Sequence, residues 1–540
     1  MTRSIEQELI DEQKQLEADR SSFEEHWQEC ARYMLPRQDE FFVDSRRTPG
    51  EKRTQYIFDS TPQLALEKFG AIMESQLTPR TERWHRLESS VPELNDDHEV
   101  KLYFDQVTDI LFKLRYASTA NYASQQHETY LSLGCFGTGV LMLEDDVGRG
   151  FRYKSSHISE HFFTENNTGL IENDYRRFRL TAKQAAEKYG EDNLPDVIQR
   201  SMQKEPFKKH DFLHVVIPND EYIPGSVSPK HYKYKSFHIS IEGKKLLSVG
   251  GFRTFPFIIS RYITSPNETY GRSPGMTALA EAKMLMQMRK TDLRARHLAI
   301  DPPILTAHER SVRKLNMKPN AVNYGTLDAN GNPLVRPYQN AARIDVSNDA
   351  LAQSREVIND VFMVKLFQIL VETPQMTATE VLQRAQEKGA LIAPTVGRQQ
   401  SEALSPMIER EIDIASFAGL LPEMPDSLKE AEGEFEIRYT SPLSKLQKTE
   451  TALSAKMTLE SVLPLIEIQP DVLDNFDLDA YADIVHDANA APARLMRDPD
   501  QIEALRKARE EQQQLQALAG AAPDIAGSIK DIAQAQSFAE

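Results

Sequence analysis

Gly271-Arg272-Ser273-Pro274-Gly275 has the GxSxG spacing of a serine-hydrolase nucleophile elbow. That chemistry needs the backbone N–H of the residue after the serine as an oxyanion donor. Here that residue is Pro274, which has no N–H. The same residues suit a helix start, with Ser273 as N-cap and Pro274 at the first helical position. His127-Glu128-Thr129-Tyr130-Leu131 opens like a zinc-protease HExxH and lacks the second histidine. Gly134-Cys135-Phe136-Gly137-Thr138-Gly139 is glycine-rich but leads into a strand, whereas a dinucleotide loop leaves a strand and enters a helix. Its glycines suit a tight helix-to-strand turn, and Cys135 suits a small buried apolar position. Glu144-Asp145-Asp146 offers the carboxylates a Mg²⁺ nuclease uses, but acids just before Gly148 more simply make a solvated turn. No GxxxxGK[ST] loop occurs, so a P-loop motor is excluded. No cluster of His, Cys and carboxylate residues has metal spacing. The expectation is a protein with no catalytic residues, no metal and no cofactor.

The elements that carry these residues follow from composition and pattern. A chain of 540 residues exceeds one simple core, and length implies roughly three to four units. With 64 Lys and Arg against 81 Asp and Glu, the formal charge is −17. Such a chain does not hold nucleic acid by general attraction, though it can let DNA slide past. Two cysteines, Cys30 and Cys135, make no disulfide framework and point to a reducing cytoplasm. The acidic, polar start MTRSIEQELIDEQ is unlike a signal peptide, and no uncharged apolar run approaches the ~20 residues of a membrane span.

Periodicity predicts helices over residues 4–35, 60–78 and about 98–134. Strands are expected at Val140–Glu144, Phe151–His157, Phe212–Ile217, Tyr232–Ile241, Lys245–Val249 and Phe255–Tyr262, with a turn at Glu242-Gly243. Helices return at 274–300 and 347–371, separated by a short mixed stretch with an Asn330-Gly331 turn. A long helix, kinked near Pro394 and Pro406, reaches Leu421, and one strand at Glu434–Tyr439 precedes a helical C-terminal region. Helices before and after a β-rich block give an α+β, mostly helical fold class.

Charge is uneven along this order. Residues 275–345 hold 11 Lys and Arg against 6 Asp and Glu, while residues 446–540 hold 8 against 17. A basic segment in an acidic chain is a candidate contact surface, although a single Lys or Arg more often sits on a solvated helix face.

Thr377-Ala378-Thr379-Glu380 is a capping box, and Met376 and Val381 occupy the positions of a hydrophobic staple. Loss of such a cap costs ~1 kcal/mol. Pro374 breaks the preceding helix, so Thr373 to Met376 form a short loop pinned at both ends. Motif alone makes this an ordinary helix–helix corner.

Four stretches, FDSTPQLALEKFGAIMESQLTPRTERWHRL, YGRSPGMTALAEAKMLMQMRKTDLRARHLAIDPPIL, MTATEVLQRAQEKGALIAPTVGRQQSEALSPMIERE and EIRYTSPLSKLQK, give the chain a wider resemblance. In order and spacing it resembles the portal, or head-to-tail connector, proteins of short-tailed bacteriophages from about residue 23 to 448. The resemblance implies a ring, typically of twelve copies, at one capsid vertex of the virion, with wing, stem, clip and crown regions around a central channel. Mapped onto this chain, it implies a wing over 1–270 and 377–445, and stem helices over 271–300 and 346–372. It implies a clip over 301–345, a tunnel loop over 373–376 and a crown over 446–540. Thr373, Pro374, Gln375 and Met376 would face DNA, with Thr377 and Glu380 fixing where the loop ends. Arg310, Arg313, Lys314 and Lys318 become candidate contacts to a tail adaptor. The implied partners are further copies of the chain, double-stranded DNA, a terminase ATPase, tail adaptor or nozzle proteins, and major capsid and scaffolding proteins, with no membrane. The implied function is conducting DNA during packaging and ejection without catalysis, after synthesis in the host cytoplasm. The other readings are a phage DNA-processing enzyme, nuclease or protease, and a monomeric cytoplasmic adaptor.

Overall fold

The computed structural model describes residues 4–42, 50–95, 97–146, 150–306, 315–316, 318–338, 344–364, 393–431, 433–440, 452–462, 475–488, 495–497 and 501–513. The chain divides into two compact units. The first comprises Met1–Trp84, Leu111–Leu420 and Ser441–Leu443, and the second His85–Ile110, Leu421–Thr440 and Ser444–Glu540.

The first unit begins with helices α1 (Ile5–Asp19) and α2 (Ser21–Met34). One continuous helix was the expectation; the regular pattern instead breaks at Arg20, which is buried. Its guanidinium donates to the carbonyls of Ile158, Ser159 and His161 and lies 3.8 Å over the Phe162 ring. A buried cation needs these acceptors, so tertiary contacts decide where the helix divides. Helix α3 (Thr61–Leu77) follows with Pro62 in its first turn.

Residues 98–134 form two helices, α4 (His98–Arg115) and α5 (Tyr122–Phe136), rather than the single helix expected. Asn121 takes a left-handed conformation, φ 56°. Asn accepts that conformation more readily than most residues. The Ala120 carbonyl there accepts from the Tyr153 N–H at 3.0 Å, so a strand replaces the helical partner.

Two antiparallel sheets fill the β-rich block. Strands β2 (Thr138–Asp146), β3 (Gly150–Ser156) and β9 (Phe257–Arg261) make one, in the order β3-β2-β9. The other has β4 (His161–Glu165), β5 (Ile171–Thr181), β6 (Lys209–Pro218), β7 (Tyr234–Ser240) and β8 (Lys245–Phe252) in sequence order. Leu213 and Val215 of β6 pack with Leu9 and Ile10 of α1. Phe212, one residue away, packs on the opposite face against α6 (Ala182–Tyr189) and α7 (Asp196–Lys204). Period-two alternation thus gives β6 two apolar faces and buries the sheet between helices. Strands β4 and β5 were not anticipated, because IENDYRRFRLT is mostly polar or charged.

Helix α8 (Pro274–Ile300) packs along α9 (Ile344–Val361). Between them β10 (Ile304–Thr306) pairs antiparallel with β11 (Val335–Pro337), and Gly331 makes the expected turn with φ 81°. Residues 393–399 are helical, Gln400–Leu404 widens to a π-helical segment, and α10 (Ser405–Phe417) follows with Pro406 in its first turn. The expected irregularity near Pro406 is this widening: proline lacks the N–H that would bond back to Glu402.

In the second unit β1 (His85–Ser89) pairs antiparallel with β12 (Phe435–Tyr439), the strand expected near Glu434. Arg438 reaches Glu88 at 2.8 Å across the pair. Short helix α11 (Asp426–Glu430) and helix α12 (Leu478–Ala488) also belong to this unit.

Candidate functional site

Ser273 has the spacing of an elbow serine, and its surroundings remove that chemistry. It is buried, its oxygen accepts from the Met276 N–H at 2.8 Å, and its hydroxyl donates to the Cys135 carbonyl at 2.8 Å. It is the N-cap of α8, with Pro274 in the first turn. Gly137 ends α5 with φ 79° and crosses Gly271 backbone to backbone. A Cβ on Gly271 would lie 2.1 Å from the Gly137 carbonyl oxygen. The glycines of both sequence motifs therefore serve one backbone crossing that fixes where α8 starts. Ser273→Ala is expected to lower stability by about 1–2 kcal/mol, read from denaturant midpoints. A serine-reactive probe should label neither protein, and labelling of Ser273 would restore the hydrolase reading.

The other motif residues also resolve into packing. Burial pushes the Cys135 thiol well up from its ordinary value and Cys30 up to about 12, so neither is a ready nucleophile. His127 pairs with Glu74 at 3.1 Å and Glu128 with Arg37 at 2.8 Å, so the two neighbours serve different partners. Glu144, Asp145 and Asp146 are the last residues of β2, paired with Arg152, Phe151 and Gly150, rather than a turn. The β-ladder overrides turn propensity there.

What the motif region positions is the α8–α9 hairpin. Lys283 of α8 meets Glu29 of α2 at 2.6 Å, and Arg355 of α9 meets Asp59, just before α3, at 2.7 Å. Burial opposes the Asp59 charge, but Thr61 and Arg355 outweigh it and hold its carboxyl below the usual range. Within the hairpin, buried Asp292 accepts from Arg289 and Arg296 at 2.9 Å each, and Ser347 lies 3.4 Å away. Arg296 also donates to Asn348 at 2.6 Å. These contacts pair the end of α8 with the start of α9, so the helices run antiparallel.

Of the candidate contact residues, only Lys318 lies within the described residues. It is exposed, and its N–H donates to Asn316 at 3.2 Å. Arg310, Arg313 and Lys314 lie outside the described residues, as do Thr373, Pro374, Gln375, Met376, Thr377 and Glu380.

Two buried polar clusters have no signature in the sequence. Arg115 and Glu411 are fully buried, and Arg115 Nε donates to Glu411 Oε1 at 2.8 Å. The Tyr153 hydroxyl donates to the same carboxylate, and the guanidinium lies 4.6 Å from the Trp84 ring centre. Burial opposes the Arg115 charge, but Glu411 outweighs it and holds the guanidinium protonated. The pairing spans 296 residues, so no local pattern reveals it. In the second cluster, the registers align His161, Arg176, His214 and His238 in one row across β4 to β7. His214 and His238 stack with ring centres 4.1 Å apart. His161 pairs with Asp174 at 2.8 Å, and His238 with the Tyr189 hydroxyl at 3.0 Å. Burial, the partner histidine and Arg176 push His214 well below its ordinary value, and burial with Lys188 and Arg176 lowers His238 to about 3.

Two serine hydroxyls do meet histidine rings, Ser236 with His214 at 2.9 Å and Ser159 with His157 at 2.6 Å, but burial lowers both histidines from their ordinary value and so weakens them as bases. No group of three or more His, Cys, Asp or Glu among the described residues has metal geometry. The model of the bacteriophage head to tail connecting proteins matches residues 6–496. The chain belongs to that family. The connector is 27% identical over 513 residues to the probable portal protein of Bordetella phage BPP-1, covering 94% of this chain and 91% of the relative. It is 25% identical over 521 residues to the portal protein of Salmonella phage epsilon15, covering 95% and 93%. Among solved structures, a native gene transfer agent virion gives a TM-score of 0.33 at 10% identity, covering 76% of the connector and 91% of that chain. The neck of an empty gene transfer agent particle gives 0.35 at 9% identity, covering 75% and 90%. The connector's role is structural, in the portal of a phage particle. No described helix is long and apolar enough to cross a membrane.

Proposed function

We propose that the connector forms a ring of about twelve copies at one capsid vertex, through which double-stranded DNA enters during packaging and leaves during ejection. The observation that carries this reading is the family match over residues 6–496. The anchored antiparallel hairpin supplies a rigid strut of the kind a channel wall needs. In this reading α8 and α9 belong to the stem, residues 301–345 to the clip, and residues 446–540 to the crown. The blocks 1–270 and 377–445 make the wing. Thr373–Met376 face the DNA, held by the Thr377 and Glu380 cap.

A terminase ATPase docks on the clip and supplies the energy, and tail adaptor or nozzle proteins later take its place. Arg310, Arg313, Lys314 and Lys318 offer the adaptor a basic edge. Capsid and scaffolding proteins surround the ring. The charge of −17 per copy keeps the assembly from gripping phosphate tightly, so DNA passes in both directions. Synthesis in the host cytoplasm suits the two unpaired cysteines.

Electron microscopy of assembled particles tests the proposal. The expected images show closed rings with a central hole and, in DNA-filled particles, Thr373–Met376 against the duplex. Monomers without a hole under assembly conditions would sink the ring, and a loop turned away from DNA would sink the tunnel-loop assignment.

A further inference from the structure

The exposed face of α8 carries a pattern that hydration alone does not require. Ala280, Met284, Gln287, Thr291, Arg294 and Leu298 are all exposed and follow one another at alternating spacings of four and three. A solvent-facing helix stripe is ordinarily rich in charge. Here Arg294 is the only charged member, and Met284 and Leu298 are 45% and 39% exposed. The Thr291 hydroxyl donates to the Gln287 carbonyl at 3.0 Å, so it needs no water. Alternating three and four is the spacing with which one helix packs along another. The helix's other lysines and arginines, Lys283, Arg289, Lys290 and Arg296, lie off the stripe and are half-buried.

Helix α9 presents a complementary stripe. Val346, Asp349, Gln353, Glu356 and Asp360 are exposed at the same alternation, and three of the five are acidic. Neither Arg294 nor Asp349 has an ion-pair partner among the described residues. The Arg296–Asn348 bond sets Arg294 and Asp349 at nearly the same height along the hairpin. Rotation about a ring axis leaves height along that axis unchanged, so in a ring of upright hairpins these two residues meet at the same level.

We infer that the exposed stripe of α8 in one copy packs against the exposed stripe of α9 in the next, with Arg294 paired to Asp349 across the joint. The inference rests on the ring reading and supplies its contact. The joint is heterologous: each copy offers α8 to one neighbour and α9 to the other, and repetition closes the circle. The opposed charges set register and direction, since two α9 faces would bring acid against acid.

Charge exchange in the full chain tests it. Arg294→Glu and Asp349→Arg, each alone, are expected to raise the concentration at which rings dissociate by about tenfold, followed by native mass spectrometry. The double variant is expected to return within about threefold of wild type. Monomer melting temperatures, measured in parallel, should be unchanged for all three. Single variants that assemble like wild type would overturn the pairing while leaving the ring reading intact. A double variant no better than the singles would overturn it as well. Singles that assemble normally but alter DNA packaging would overturn it and give the stripe to DNA. Wild-type chain that never assembles would remove the ring reading and this joint together.

Discussion

Glu411→Ala will lower the unfolding free energy of the first unit by about 3–5 kcal/mol. Glu411 and Arg115 are both fully buried, and the Tyr153 hydroxyl donates to the same carboxylate. Removing the carboxylate takes away the counter-charge that Glu411 supplies to a guanidinium in a place that water does not reach. Its position between the Trp84 and Phe112 rings, 4.6 and 4.8 Å away, stabilises a cation but does not replace a carboxylate. Denaturant unfolding followed by tryptophan fluorescence is a direct measurement, since Trp84 lies against the guanidinium. The double variant Arg115→Met, Glu411→Leu should recover most of the loss, because a well-packed apolar pair can match a buried ion pair. If Glu411→Ala unfolds within ~0.5 kcal/mol of wild type, the pair does not hold these elements together.

Lowering the pH from 7 to 5 will destabilise the five-stranded sheet, and His214 and His238 will account for much of the effect. In the folded chain both stay neutral far below the ordinary histidine range, with His238 at about 3. Once unfolded, each titrates near ~6.5. The unfolded chain therefore binds more protons below that value. Stability is fully present above about pH 6.5 and is lost as pH falls toward the folded values, by up to ~1.4 kcal/mol per pH unit for each histidine. The groups facing the pair add to the penalty, since Arg176 and Lys188 are cations and the Tyr189 hydroxyl is neutral. Urea midpoints at pH 7, 6 and 5 measure the slope. His238→Phe keeps a stacked ring and removes one proton site, so its slope should be shallower over this interval. An unchanged slope would assign the acid sensitivity to other groups.

Much of the secondary structure was legible because it rests on local physics. The start of α8 is an example: a serine cap followed by proline needs no distant partner, and the helix begins at Pro274. Strand β7 was legible through alternation, and β12 through its short β-branched and aromatic run. The failures share a cause. Helix α1 ends at Asp19 because Arg20 binds carbonyls about 140 residues away in sequence, and β5 is a strand because its neighbours pair with it despite its charges.

The candidate site divides along the same line. From local order, the sequence by itself determined that no phosphate loop or metal motif was present, that GxSxG was a helix start, and that long stretches resembled portal proteins. The match over residues 6–496 agrees with that resemblance. Only tertiary structure brought Gly271 against Gly137, Arg115 to Glu411, and His161, Arg176, His214 and His238 into one row. Those partners stand tens to hundreds of residues apart. Nothing in a residue's own neighbourhood encodes which distant acceptor will satisfy a buried charge. That choice is made when burial removes water and each polar group must find its partner within the fold.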